Sequence, residues 1–373
     1  MLRIPTYPTR RYPSLLPAAF AVGALVLLLG YGTTGEARRE SFTDSQRAAL
    51  AKIDRVLVEA LALTDRGEVD ARDIADLTAR RLGELGYTAV LDPAQPYDAV
   101  LRVKCEQRKV WQGTIRSGGD ADLPDSPSRT WKGPACQLRY SLGDKPMTWA
   151  KEVRTDFSDA MKAAAEAKAD DAGAFALSRL QERLAVYDFP IYLATEWGQD
   201  DRLLKHLDDS DIPSPRKAKM VWALGQMFSD QAVPRLQELV NDPNQEIATA
   251  AVIALGNIGH EGSITTLLDV LEHGSPELRV AAARGLGKVG ALHGNAAIVP
   301  PLIAALDTDN VKLQTEVVWA LGQIPDRRSY EPLLKLQRSL RNVRTSDRNS
   351  PEGKLWDAVN YSMKQLDGFD QIN

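Results

Sequence analysis

Hydrophobic and polar positions change their spacing several times along the chain. Residues Pro17 to Gly30 carry no polar side chain at all. Beyond them Leu50, Ile53, Val56, Leu57, Ala60 and Leu61 recur at three and four, which predicts a helix capped by Asp44 and ended at Gly67. Asp70 opens a second predicted helix with Ile74, Leu77, Leu82 and Leu85 on one face, closed at Gly86. The period then falls to two. Tyr87 to Leu91 reads as a short strand, and Leu101, Val103 and Cys105 alternate with Arg102, Lys104 and Glu106 as a half-buried one. Cys136, Leu138, Tyr140 and Leu142 repeat that alternation, and Met147, Trp149 and Val153 suggest a further strand. An alanine-rich helix is expected from Ser158 to Tyr187.

This order, helix, helix, strands, helix, predicts a small α+β domain with an antiparallel sheet over residues 42–190. Both cysteines fall on the apolar side of their strands. If those strands pair, Cys105 and Cys136 can face each other and close a disulfide in an oxidising compartment; otherwise they are two buried thiols. A catalytic thiol is disfavoured, because no histidine lies in this domain to serve as its base. Between the strands, the connection from Gly113 to Gly133 is rich in Gly, Asp, Ser and Pro, and its Arg116 and Trp131 are candidate contacts for a partner.

Residues 191–373 follow a different rule. Ala223-Leu224-Gly225 returns as Ala254-Leu255-Gly256, Gly285-Leu286-Gly287 and Ala320-Leu321-Gly322, at spacings of 31, 31 and 35 residues. Each tripeptide is followed by a turn and a second apolar run, such as Val233-Leu236-Leu239 or Ile264-Leu267-Leu268-Leu271. Breakers come next: Asn241-Asp242-Pro243, His273-Gly274-Ser275-Pro276 and Asp307-Thr308-Asp309. Each unit is thus two helices that cannot bury their apolar face alone and must stack on copies of themselves. Stretches such as IATAAVIALGNIG and LRVAAARGLGKVG resemble the first helix of HEAT repeats, in the short form also found in phycobilisome lyases and bacterial scaffold proteins. The resemblance implies an α-solenoid, with a preceding half-unit at Asp201 to Leu207 and a closing helix at Trp356 to Leu366 as caps. The expected fold class is therefore multidomain: an N-terminal hydrophobic segment (1–40), the α+β domain, and an all-α HEAT-like solenoid.

One column of the repeat stands out. Three residues before the last glycine of each tripeptide are Trp222, Ile253, Arg284 and Trp319. The HEAT pattern usually places a polar residue there, as Arg284 is; two tryptophans and an isoleucine would form an exposed apolar row for a protein partner. The alternative is packing against neighbouring helices or the first domain.

Composition bears on the remaining classes of function. The 373 residues hold 46 basic and 50 acidic side chains, a net of -4, so nothing favours nucleic acid as the main partner. Gly285-Leu-Gly287-Lys-Val-Gly290 spells a dinucleotide-binding string, but it belongs to the repeat, where its glycines would serve helix contact and termination. His206, His260, His273 and His293 show no paired spacing for a metal or for base catalysis. No catalytic, metal or cofactor residues are therefore assigned.

The leader points to export. Arg3, Arg10 and Arg11 precede the apolar run, and no acidic residue appears before Glu36. The run suits a signal peptide cut near Gly35-Glu36-Ala37, or a single membrane anchor from Leu15 to Tyr31, which is about 25 Å of helix. The sequence thus reads as a non-catalytic cell-envelope adaptor that binds another protein. Its rival, by resemblance to the bilin lyases, is an enzyme whose repeats hold a tetrapyrrole.

Overall fold

A computed structural model describes residues 42–113, 129–341 and 349–370. The leader, residues 114–128 with Arg116, and the side chain of Trp131 lie outside the described residues. The first elements are α1 (Asp44–Leu50), β1 (Arg55–Thr64), β2 (Gly67–Val69), α2 (Arg72–Gly83), β3 (Thr88–Val90), β4 (Ala99–Gly113), β5 (Arg129–Leu142) and β6 (Lys145–Arg154). They form a six-stranded sheet of order β2-β1-β4-β5-β6, with β3 also pairing with β1.

Two expectations fail here for one reason. The first helix is only α1, and its cap is Thr43, whose hydroxyl accepts from the Gln46 amide in a reciprocal capping box. The apolar run beyond it is strand β1. Val56, Leu57 and Val58 are all buried, with Leu57 joining Val90 and Val100 in a small cluster separate from the main core. A strand covered on both faces loses its period of two and mimics a helix. The sheet is consequently mixed, not antiparallel. β1 runs parallel to β3, reached through the α2 crossover, and parallel to β4, with Val58 opposite Leu101 and Ala62 opposite Cys105. β2 on β1 and β6 on β5 are antiparallel.

The alanine-rich segment is two helices, α3 (Ala160–Glu166) and α4 (Ala172–Val186). Lys168 takes a left-handed φ of 55° and closes the first, while the Asp171 carboxylate caps the second by accepting from the Gly173 and Ala174 amides. Ala176, Leu177, Leu180 and Leu184 of α4 are buried.

The rest is helical. α5 (Phe189–Glu196) and α6 (Asp200–His206) lead into four helix pairs and a closing helix. The first helices of the pairs are α7 (Ser214–Gln226), α9 (Gln245–Ile258), α11 (Pro276–His293) and α13 (Val311–Gln323). Their second helices are α8 (Val233–Leu239), α10 (Ile264–His273), α12 (Val299–Ala304) and α14 (Tyr330–Ser339); α15 (Pro351–Asp370) closes the stack. Three of the first helices start on side-chain caps at or directly after the breakers. Asn244 accepts from the Glu246 and Ile247 amides, Ser275 from Leu278, and Asn310 from Leu313.

The repeated glycine is explained by contact between neighbouring first helices. A Cβ on Gly256 would sit 2.5 Å from the Gly285 Cα, on Gly225 2.7 Å from the Ala254 Cα, and on Gly287 2.8 Å from the Ala320 Cα. Backbone therefore meets backbone, and no rotamer can relieve a methyl placed between them. Gly256→Ala is expected to cost about 2 kcal/mol, read as a lower urea midpoint; an unchanged midpoint would mean the helices slide apart freely. The string Gly285-Leu-Gly287-Lys-Val-Gly290 lies inside α11, which continues to His293. Its glycines serve helix contact, as expected, but they terminate nothing; Gly294, at φ 61°, follows the last residue of the helix.

One hydrophobic cluster runs from the sheet, through Leu101, Cys105, Leu138 and Tyr140, into the helix pairs. Trp197 sits at the join, edge-on to Tyr87 and to Tyr140, each with ring centroids 5.5 Å away. Buried Gln199 beside it accepts from the Tyr87 hydroxyl at 2.6 Å and donates to the Leu50 and Ile53 carbonyls at 3.1 and 2.8 Å. Burial holds the Tyr87 phenol well above its ordinary pKa, which keeps it a donor.

Candidate functional site

The glycine contacts also fix the register of the column read from the sequence. Gly322 packs against Ser362 of α15, just as Gly287 packs against Ala320. The residue preceding Ser362 is therefore a fifth member, Tyr361, and the row reads Trp222, Ile253, Arg284, Trp319, Tyr361 along five successive helices. Tyr361 was not legible in the sequence, since α15 lacks the Ala-Leu-Gly signal. Only its packing partner reveals its place.

The members differ in exposure. Trp222 is 45% exposed. Ile253 is half-buried, and so is Trp319, whose ring lies 5.1 Å from that of Tyr361 at an interplanar angle of 55°. Arg284 is exposed and forms a two-pronged ion pair with Glu316 of the next first helix, at 3.0 and 2.5 Å. That bond raises the guanidinium pKa against the opposing effect of burial. The row thus has a half-exposed indole at one end, a tilted indole–phenol pair at the other, and a bridged cation between them. Thr249, Ala250, Val280 and Ala281, one or two turns earlier on α9 and α11, are half-buried small side chains.

The two cysteines are joined as a disulfide between β4 and β5, both fully buried. The histidines stay apart and serve local roles. His260 Nδ1 accepts from the Gly262 amide at 3.0 Å, and His293 Nε2 lies 2.7 Å from the Gly259 carbonyl. His206 packs beside Gly86, where burial lowers its pKa despite nearby Asp209.

At the foot of the stack, next to the row's first helix, is a charged group that the sequence did not announce. The carboxylate of Asp188, 9% exposed, takes Arg216 Nε at 2.9 Å, Lys219 Nζ at 2.6 Å and Arg81 Nη2 at 3.4 Å. Arg81 is 4% exposed and also donates to the Tyr187 carbonyl at 3.0 Å. Burial, with Arg216 beside it, lowers the Arg81 pKa. Burial pushes the Lys219 ammonium the same way, but its bond to Asp188 carries it above the ordinary value. A polar cleft of about 350 Å³ nearby is lined by Asp54, Gln199, Asp200, Arg202, Lys205 and His206 among others. Arg202 is already committed there: it bonds Asp54, Gln199 and the Leu85 carbonyl, and stacks on Tyr87. Both groups fasten the helices to the sheet region.

The helix pairs are HEAT repeats: the family model so described matches residues 201–275 and 264–346. Among solved structures, the chain is similar to a designed armadillo repeat protein in complex with the peptide (KR)4, at 20% identity. That match covers 50% of this chain and 94% of that one, with a TM-score of 0.36. An engineered protein is 18% identical over 57% of this chain and 98% of its own, TM-score 0.36. Human deoxyhypusine hydroxylase in complex with glycerol is 18% identical, covering 52% and 85%, TM-score 0.25. No curated protein matches the chain.

Proposed function

We propose that this protein is a non-catalytic adaptor of the cell envelope that binds another protein through the face of its first helices. The observation that carries the reading is the register row. Trp222, Ile253, Arg284 and Trp319 hold one position on successive stacked helices, and Trp222 keeps 45% of its surface in water. An indole is costly to leave bare, and tryptophan and arginine are enriched where partners bind tightly. Because the helices are locked backbone to backbone, little ordering entropy is lost when a partner docks.

Two features support the envelope. A disulfide such as Cys105–Cys136 forms and persists in oxidising compartments, and the apolar run of residues 17–30 behind a basic leader has the form of an export signal or anchor. Among the described residues no helix is long and apolar enough to cross a membrane, so any anchoring would rest on that leader.

The test is affinity capture from detergent-solubilised membranes with the wild-type chain and with Trp222→Ala. A partner is expected to co-purify with the first and to be depleted at least tenfold with the second. The melting temperatures should agree within about 2 °C, as befits an exposed position. Equal recovery by both would remove the row from the interface. A visible absorbance band in the purified protein would favour the tetrapyrrole enzyme instead.

A further inference from the structure

The last turn of α7 has a feature that no packing requirement explains. Phe228 stands in the left-handed position that ends the helix, at φ 54°. One repeat later the same position is Gly259, at φ 74°, which adopts this conformation without penalty. Phe228 is also 63% exposed, and it has no aromatic partner among the described residues. A bulky side chain is thus held in a strained backbone and left in water, two costs with no return inside the fold. Leu292, 60% exposed, lies against Gly259, so apolar groups recur along this edge of adjacent repeats.

Charge tells what would cover them. The chain as a whole is at net -4, and although α7 carries Arg216, Lys217 and Lys219 and no acidic residue, Asp188 and Glu84 already answer Arg216 and Lys219. On α11, Arg284 and Lys288 are like charges one turn apart. Glu316 answers Arg284, whereas Lys288 bonds only the Asn257 amide, at 2.7 Å. Burial and the neighbouring Arg284 depress the Lys288 ammonium against a smaller pull from Glu316, so a further carboxylate arriving there would be welcome. Lys288 forms no ion pair among the described residues, although Glu316 on α13 also attracts it.

Resting on the adaptor reading, we propose that this face receives an acidic, extended segment of the partner protein, with Phe228 and Trp222 as apolar anchors and Lys288 as its carboxylate contact. The spacing can be stated. Packed helices lie about 8–10 Å apart and an extended chain advances about 3.3 Å per residue, so about three residues pass from each first helix to the next. Trp222 and Lys288 stand two helices apart, which sets an apolar residue and an acidic residue of the segment about six positions from each other.

The experiment selects a random twelve-residue peptide library on the detergent-solubilised full chain, then measures one enriched peptide against Phe228→Gly, Trp222→Ala and Lys288→Glu. Enriched peptides should pair Asp or Glu with an aromatic or Leu residue at about that spacing, and bind each variant at least tenfold more weakly. Affinity should fall as salt rises. Phe228→Gly should at the same time raise the melting temperature by about 2–4 °C, because the strain is gone. Basic or uncharged peptides that still depend on Trp222 and Phe228 would overturn the acidic segment while leaving the adaptor reading intact. Acidic peptides indifferent to all three variants would place binding elsewhere and overturn the inference. No enrichment at all would count against both. So would sedimentation with phosphatidylglycerol vesicles that requires Phe228, since the face would then be a membrane contact.

Discussion

Replacing Asp188 by alanine is expected to cost about 3–5 kcal/mol, as much as truncating a large core side chain. Among the described residues, Asp188 is the one carboxylate shared by Arg81, Arg216 and Lys219. Without it, three cations would be left with Glu84, whose side chain is 44% exposed and reaches only the two arginines. Arg81 cannot turn to water, since just 4% of its side chain is accessible and its carbonyl partner at Tyr187 adds no charge. The urea midpoint reads the effect. Asp188→Asn should lie between the two, because the amide oxygen still accepts while the charge is gone. A loss under about 1 kcal/mol for the alanine variant would show that water reaches the cluster and that it behaves as a surface ion pair.

The second large effect concerns the covalent bond. Cys105 and Cys136 enclose a sequence separation of 31 residues, for which the loop-entropy relation gives about 3.7 kcal/mol. The Cys105→Ala, Cys136→Ala double variant should lose that much by urea denaturation. Both cysteines are fully buried, so a mild reductant should release no titratable thiol from the folded wild type, yet lower its urea midpoint, because unfolding exposes the bond to reduction. Equal stability of the double variant and the wild type would mean that β4 and β5 hold their pairing without it.

The contrast between the two halves shows where sequence reasoning succeeds. The helix pairs were legible because one device recurs. The glycine of each tripeptide, its spacing and the breaker after its second helix repeat in register, so each copy corroborates the others. The row Trp222, Ile253, Arg284 and Trp319 followed from that register, and its fifth member Tyr361 did not, because α15 keeps the contact at Ser362 without the tripeptide. In the sheet region each element appears once. There the doubly covered strand β1 passed for a helix, and with it the parallel pairing was lost. Alternation did reveal β4, β5 and β6, where Leu101, Val103, Cys105, Cys136, Leu138, Tyr140, Met147 and Trp149 are buried at every second position, though Val100, Ala135 and Ser141 between or beside them are buried too. The Asp188 cluster joins residues more than a hundred positions apart, Arg81 to Asp188, and no local pattern signals such a meeting.

The identical grip between neighbouring first helices has a consequence for how the array can grow. Each such helix offers a glycine to one side and a small residue to the other, so Gly225 meets Ala254 and Gly256 meets Gly285 by the same geometry. A duplicated 31-residue segment spliced between these units would present matching surfaces to both flanks. Lengthening by whole units is therefore open to this molecule, whereas gain or loss of a few residues inside a helix would throw every downstream interlock out of step.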